Sequence, residues 1–394
     1  MQPPQTGSNM ERRVLAEESP LRVLLLAELG SIHSYRWAKA LAAKGVEVAI
    51  FSRSWGGEER YRQAGIRVYS AGIVPGGLVA KVRYVLSVRK VRQAIRDFKP
   101  HILHAHYAAT YGILGAFAGK HPYVVSVWGG DVYDFPLKGW LHRWVIKRVF
   151  RKADRLLSTS NVMAKRAAAY TDKSFTITPF GVDLQTFIEN RRGGVDYDLI
   201  GTVKALTPKY GIDVLLRAFA LCVARNPARE LRLQIAGDGP ARKTLQELAK
   251  ALGVAERVQF LGFVENDALP RLYSRFLVAV FPSVLASESF GVVAVEAAAC
   301  ACPVVASNAD GFTETVADGE TGLIVPMHNV EMTAQAIQHF IDHPEERERM
   351  GRNGRKRAEA LYNWDENVAT MLEVYREVWN EAQSINANRH HRAN

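Results

Sequence analysis

Leu21-Arg22-Val23-Leu24-Leu25-Leu26-Ala27 is the first of a series of short apolar runs that alternate with amphipathic stretches. Runs of this length, rich in Val, Ile and Leu, read as strands buried on both faces. The pattern predicts strands at 21–27, 46–51, 67–69, 102–105, 123–127, 155–158 and 175–178, with a helix at 34–44. It breaks at Pro179-Phe180-Gly181-Val182-Asp183 and again at the polar stretch Asn190-Arg191-Arg192-Gly193-Gly194. Then it restarts, with strands at 198–203, 231–236, 258–261, 278–281, 304–306 and 323–325 and helices at 212–224, 241–251 and 291–301. One long amphipathic helix at 364–383 ends the series.

Strands alternating with helices imply parallel sheets covered on both faces. The expected fold class is therefore α/β, with two Rossmann-like doubly wound domains facing a central cleft. A chain of 394 residues suits two cores better than one. The expected boundaries are an N-terminal arm at 1–20, a first domain at 21–180, a linker at 181–197 and a second domain at 198–362. A closing helix at 363–386 and a tail at 387–394 follow. Ligands of such folds bind at the C-terminal ends of the strands.

Composition is that of a globular chain, 48% hydrophobic and 23% charged. No segment has the apolar length needed to span a bilayer, and the first twenty residues lack a signal-like apolar block. Cys222, Cys300 and Cys302 lie in apolar contexts without metal spacing, and read as free thiols of a reducing cytoplasm.

Charge changes the picture more. The net charge is +11, and it concentrates in two segments, 80–100 and 138–155, each with seven cations against one carboxylate. Val82, Leu86, Ile95 and Phe98 give the first an apolar stripe. Trp140, Leu141, Trp144, Val145 and Val149 do so for the second. Basic amphipathic helices suit an anionic membrane surface, the alternative being a solvated outer face of a domain. Nucleic acid is not expected as a partner, because no binding motif for it appears.

The chemistry concentrates in loops at strand ends. Glu288 and Glu296 lie eight positions apart around Ser289, Phe290 and Gly291, and Glu296 stands alone in an apolar run. A buried carboxylate needs a donor, which an internal Arg or the two hydroxyls of a ribose would supply. Phe290 and Gly291 are expected in a first helical turn, whose free N–H groups form an anion site. Lys204 and Lys209 follow the first strand of the second half and suit a diphosphate. Gly237-Asp238-Gly239 is a tight turn after the next strand. In the first half, Gly30, Ser31 and His33 follow the first strand. A single glycine there argues against a dinucleotide fingerprint. Trp128-Gly129-Gly130-Asp131 combines a flat apolar wall with close backbone approach. Asp131 either positions a hydroxyl or caps the next turn. His104 and His106 read as structural histidines rather than a metal pair. Asp196-Tyr197-Asp198 precedes a strand and is rejected as a metal triplet.

Together these residues resemble the retaining GT-B glycosyltransferases of family 4, over nearly the whole chain. The carriers are Glu288 and Glu296 at the family spacing, the Lys204–Lys209 pair, the Gly237–Gly239 turn, the Pro179–Asp183 signature, and 306–326 with Gly311, Glu314, Gly319 and Gly322. The resemblance implies a nucleotide-sugar donor (UDP-, GDP- or ADP-sugar) held by the second domain. No metal or further cofactor is implied. It implies that Glu296 takes the ribose and that Glu288 with Ser289, Phe290 and Gly291 takes the sugar. Lys204 and Lys209 then neutralise the diphosphate, and backbone near Phe263 and Val264 reads the base. It also implies donor contacts for Gly30, Gly237, Asp238 and Gly239. The acceptor, a glycan or lipid-linked saccharide, falls to Ser31, His33, His106, Trp128, Gly129 and Asp131. Many members carry histidine where this chain has Trp128, and Trp-Gly-Gly-Asp marks a branch of the family.

The expected activity is retaining sugar transfer in cell-envelope polysaccharide synthesis, cytoplasmic and peripheral on the inner membrane face. An epimerase, or a non-catalytic nucleotide-sugar-binding protein of the same fold, is the alternative.

Overall fold

Strand β1, Arg22–Leu26, buries Val23 to Leu26 completely, as an apolar run flanked by parallel neighbours must. The computed structural model describes residues 20–73, 77–189 and 196–393. The expected arm at 1–20, apart from Pro20, and the stretch 190–195 of the expected linker lie outside them. The chain forms two compact units, one ending at Leu103 and the other starting at His104.

Seven strands form the first sheet: β1, β2 (Glu47–Ser52), β3 (Arg67–Ser70), β4 (Ile102–His106), β5 (Tyr123–Val127), β6 (Arg155–Ser158) and β7 (Phe175–Ile177). Their order is β3-β2-β1-β4-β5-β6-β7. The second sheet holds β8 (Asp196–Val203), β9 (Arg232–Ala236), β10 (Val258–Gly262), β11 (Phe276–Phe281), β12 (Val304–Ser307) and β13 (Gly322–Val325), in the order β10-β9-β8-β11-β12-β13. The pairs β1–β2, β8–β9 and β8–β11 are parallel. In each sheet the order reverses beside the first strand, and in the second sheet this is the place where such folds hold ligands.

The expected strands are present within a residue or two. Two expectations change. The closing helix runs Trp364–Ala393, ten residues past the predicted 383 and through the expected tail up to 393. Its last turns carry no apolar stripe, so periodicity could not announce them. The described part of the expected linker is packed into the second lobe, where Val182 and Phe187 are buried in the core beside Phe180, the last residue of the expected first domain. Val182 also pairs with the start of the closing helix, donating to Tyr362 O at 2.8 Å and accepting from Trp364 N at 3.1 Å. Trp140, Leu141 and Trp144 of the second basic segment face outward. The inner face of their helix, Trp140–Lys152, is Ile146, Val149 and Phe150.

Helix Asn161–Ala167, after β6, has an N-terminus that is completed from the second sheet's lobe. The Glu314 carboxylate accepts from Asn161 N at 2.9 Å, Val162 N at 2.8 Å and Asn161 Nδ2 at 3.0 Å. Free N–H groups at a helix start need such a partner. Beside it Asp310 accepts from Tyr133 Oη at 2.9 Å and pairs with Arg166 at 3.6 Å. The closing helix reaches back to the first sheet through Tyr375, bonded to His104, and through Glu377 and Glu381, paired with Arg155.

Candidate active site

Lys204 is the residue after β8, and its Nζ lies 2.7 Å from Glu288 Oε2. Both side chains are close to nine-tenths buried, 9% and 12% exposed. Ser283 Oγ donates to the same oxygen at 3.3 Å. The ammonium also sits over the Tyr210 ring, 4.5 Å from its centroid. Lys209, on the 3-10 turn Pro208–Tyr210, donates to Ser287 O at 3.1 Å and lies 5.5 Å from the same ring. The fold thus gathers Lys204, Lys209 and Glu288 around Tyr210. Sequence reasoning missed Tyr210 and Ser283, because neither stands at a distinctive spacing.

Two glycines let this cluster form. A Cβ on Gly211, at φ +64, would come within 2.0 Å of Pro282 O. The contact seats the lysine turn on the 282–284 loop, where Val284 N donates to Lys209 O at 2.9 Å. A Cβ on Gly237, at φ +132, would come within 2.0 Å of Lys204 O. The Gly237–Gly239 turn is therefore a bed for the 204–206 backbone, with Leu206 N donating to Asp238 O at 2.9 Å. The Asp238 carboxylate stays local, on Gly239 N at 2.7 Å and Arg242 at 3.4 Å.

Glu296 lies inside helix Val292–Ala299 and is buried. The Tyr273 phenol donates to its Oε2 at 3.4 Å. Burial, and then the Glu296 charge, hold that phenol protonated far above its ordinary range. The expected first-turn place of Phe290 and Gly291 is corrected. Gly291 is the N-cap, left-handed at φ +77, and Phe290 precedes it as a buried side chain. The cause is steric: a Cβ on Gly291 would meet the Phe312 ring at 2.5 Å, so only glycine turns there. Ser289 is also redirected. Its hydroxyl donates to Trp128 O at 3.0 Å, and its carbonyl accepts from Ser160 Oγ at 2.9 Å. Phe263, just past β10, is 75% exposed, and Val264 packs against the core.

On the first sheet, the Asp131 carboxylate turns onto backbone N–H groups. It is fully buried and accepts from Ala108 N at 2.7 Å, Gly129 N at 2.8 Å and Trp128 N at 3.2 Å. Burial pushes its pKa up to about 6 against the pull of these N–H groups. His106 is buried with its ring 4.5 Å from Trp128 and tilted 35°. Burial pushes it down to about 3. His104 is held between Tyr375 Oη at 2.7 Å and Ser126 Oγ at 2.8 Å, which occupies both ring nitrogens. Burial, then His106, lowers it well below the ordinary range. From Trp128 an edge-to-face series runs on through Phe180 at 5.2 Å to Phe290 at 5.6 Å and Tyr362 at 5.7 Å.

In the unit ending at Leu103, Ser31 caps helix Ile32–Ala43, accepting from Ser34 N at 3.3 Å. His33 lies in its first turn. A Cβ on Gly30 would meet nothing within 4 Å, so no close packing demands glycine there. Glu28 pairs with Arg53 at 3.4 Å and accepts from Ser54 at 3.1 Å. Arg53 and Ser54 were not legible, since they follow the second strand without a motif.

Two family models match the chain: glycosyl transferases group 1 over residues 186–357, and glycosyl transferase 4-like over residues 22–160. The chain belongs to the family-4-type GT-B glycosyltransferases. Over 247 residues it is 34% identical to a D-inositol 3-phosphate glycosyltransferase of Rhodococcus opacus. That match spans 58% of this chain and 54%, about half, of the relative. It is 29% identical to a GDP-mannose-dependent alpha-(1-6)-phosphatidylinositol monomannoside mannosyltransferase of Mycolicibacterium smegmatis, covering 83% of this chain and 90% of the relative. The solved structure of Anabaena HepE with UDP shares the fold at a TM-score of 0.76 and 20% identity, over 91% of this chain and all of that one. In this glycosyltransferase, the Lys204–Glu288 cluster lies in the group 1 region and Trp128–Asp131 in the 4-like region. No described helix is long and apolar enough to cross a membrane.

Proposed function

We propose that the chain moves a sugar from a UDP-, GDP- or ADP-sugar to an acceptor hydroxyl with retention of anomeric configuration. The observation that carries this reading is the Lys204–Glu288 contact at 2.7 Å with Lys209 beside it. Two ammonium groups at the C-terminal end of the first strand suit a departing diphosphate, and the partly buried setting strengthens their pull. Glu288 orients the sugar hydroxyls, Glu296 takes the ribose, and the backbone near Phe263 and Val264 meets the base. The acceptor hydroxyl approaches along Trp128, on the face from which the diphosphate leaves. The bond from the anomeric carbon to the phosphate oxygen breaks as the bond to the acceptor oxygen forms. The acceptor proton passes to the leaving phosphate. His106 is a poor base for that proton, because burial keeps it neutral and weakly basic.

Both relatives above are named for inositol-phosphate-type acceptors. The acceptor we favour here is a lipid-linked saccharide or glycolipid of envelope polysaccharide synthesis, met from the cytoplasm at the inner membrane face. The test is a donor panel with candidate acceptors, followed by NMR of the new linkage. Inversion of the anomeric centre overturns retention. A changed sugar nucleotide released without acceptor would mark an epimerase.

A further inference from the structure

Helix Trp140–Lys152 turns an unusual face outward. Trp140 is 76% exposed, Trp144 52% and Leu141 51%, and Leu137, on the preceding 3-10 turn Phe135–Lys138, is 76% exposed. Single exposed apolar side chains are ordinary. Four on adjoining turns, among cations only, are not. No carboxylate lies between Asp134 and Asp154, whereas Lys138, Arg143, Lys147, Arg148, Arg151 and Lys152 do. The Arg148 guanidinium lies 5.8 Å from the Trp144 ring centroid, which keeps charge and ring together. The helix needs none of this face for its own packing, since Ile146, Val149 and Phe150 fill the inner side.

We propose that this face is an interfacial anchor that seats the chain on an anionic lipid bilayer. Tryptophan and leucine enter the headgroup boundary while lysine and arginine meet lipid phosphates. A stretch of one sign, with no carboxylate from Phe135 to Ala153, matches a uniformly anionic plane better than a protein face of mixed charge. The anchor continues the Trp128–Asp131 loop directly, through the short helix Gly130–Tyr133 and the 3-10 turn. A lipid-bearing acceptor would thus arrive beside that loop. This last step rests on the transferase reading; the docking does not.

Sedimentation of the full chain with phosphatidylcholine vesicles, with and without about a third phosphatidylglycerol, tests it. Binding is expected only with the anionic lipid, weakening as salt rises. Trp140→Ser with Trp144→Ser, and separately Lys147→Glu with Arg151→Glu, should each cut vesicle affinity about tenfold or more. Both variants should keep the wild-type melting temperature and its shift by whichever of UDP, GDP or ADP acts on the wild type. No binding to anionic vesicles, or binding unchanged in both variants, overturns the proposal. So does a wild-type dimer that the tryptophan variant dissociates without any vesicle binding. If no nucleoside diphosphate shifts the melting temperature, the transferase reading fails while the vesicle result stands by itself.

Discussion

The Ser289 hydroxyl donates to the Trp128 carbonyl oxygen at 3.0 Å, fastening the loop after β11 to the loop after β5. The fit depends on Gly129 between them. A Cβ there would stand 2.6 Å from Ser289 Oγ, and Gly129 holds φ +137. Gly129→Ala should therefore destabilise by roughly 1–3 kcal/mol from backbone strain alone and lower turnover further by parting the loops. Ser289→Ala removes one hydrogen bond and should cost about 1 kcal/mol. Urea denaturation beside initial rates separates the two effects.

Lys204 and Lys209 should respond differently to truncation. Lys204→Met leaves Glu288 buried without its cation, which costs about 3–5 kcal/mol. Lys209 contributes a single bond to a carbonyl. Lys209→Ala should keep the melting temperature and reduce kcat on the order of a hundredfold or more. Unchanged turnover at saturating donor would remove Lys209 from the reaction.

Glycines that look alike in sequence should differ in tolerance. Gly237→Ala drives a methyl into Lys204 O and forces a left-handed φ, so loss of soluble, folded protein is expected. Gly30→Ala meets open space and should leave the unfolding free energy within about 0.5 kcal/mol of wild type. Thermal denaturation of the pair checks the contrast.

Stability should fall in acid. His106 drops from 6.5 to about 3 in the folded chain. Between those values the unfolded chain takes up a proton that the folded chain refuses. The stabilisation is therefore complete above 6.5 and is lost as pH falls towards 3. His104 is lowered in the same direction. Asp131 opposes them: raised from 3.8 to about 6, it favours the folded chain below 3.8 and loses that benefit as pH rises to 6. Two histidines outweigh one carboxylate. His106→Phe should recover about 2–3 kcal/mol of the difference between urea stability at about pH 7 and about pH 4.5.

Much of the architecture was legible. Runs such as 21–27 and 278–281 are apolar on both faces and bounded by turns, so they became strands within a residue or two. The lysines and glutamates were legible because charge at strand ends or inside an apolar run is unusual. What escaped depends on tertiary packing. Asp131 turned onto backbone N–H groups of its own neighbourhood, Ser289 onto the facing loop, and the Tyr210 ring came within reach of two ammonium groups. Trp140 and Trp144 carried the same periodicity as a buried stripe, and only the placement of Phe150 shows which side of the helix is inside.

The Glu314 carboxylate closes the start of helix Asn161–Ala167 from the opposite lobe. Neither lobe is therefore a self-sufficient cassette. A chain severed between Glu189 and Asp196 leaves that helix with an unfinished end and strips Val182 of its tie to Tyr362 and Trp364. Halves exchanged among relatives will inherit the same debt unless the recipient supplies an acidic side chain at that spot.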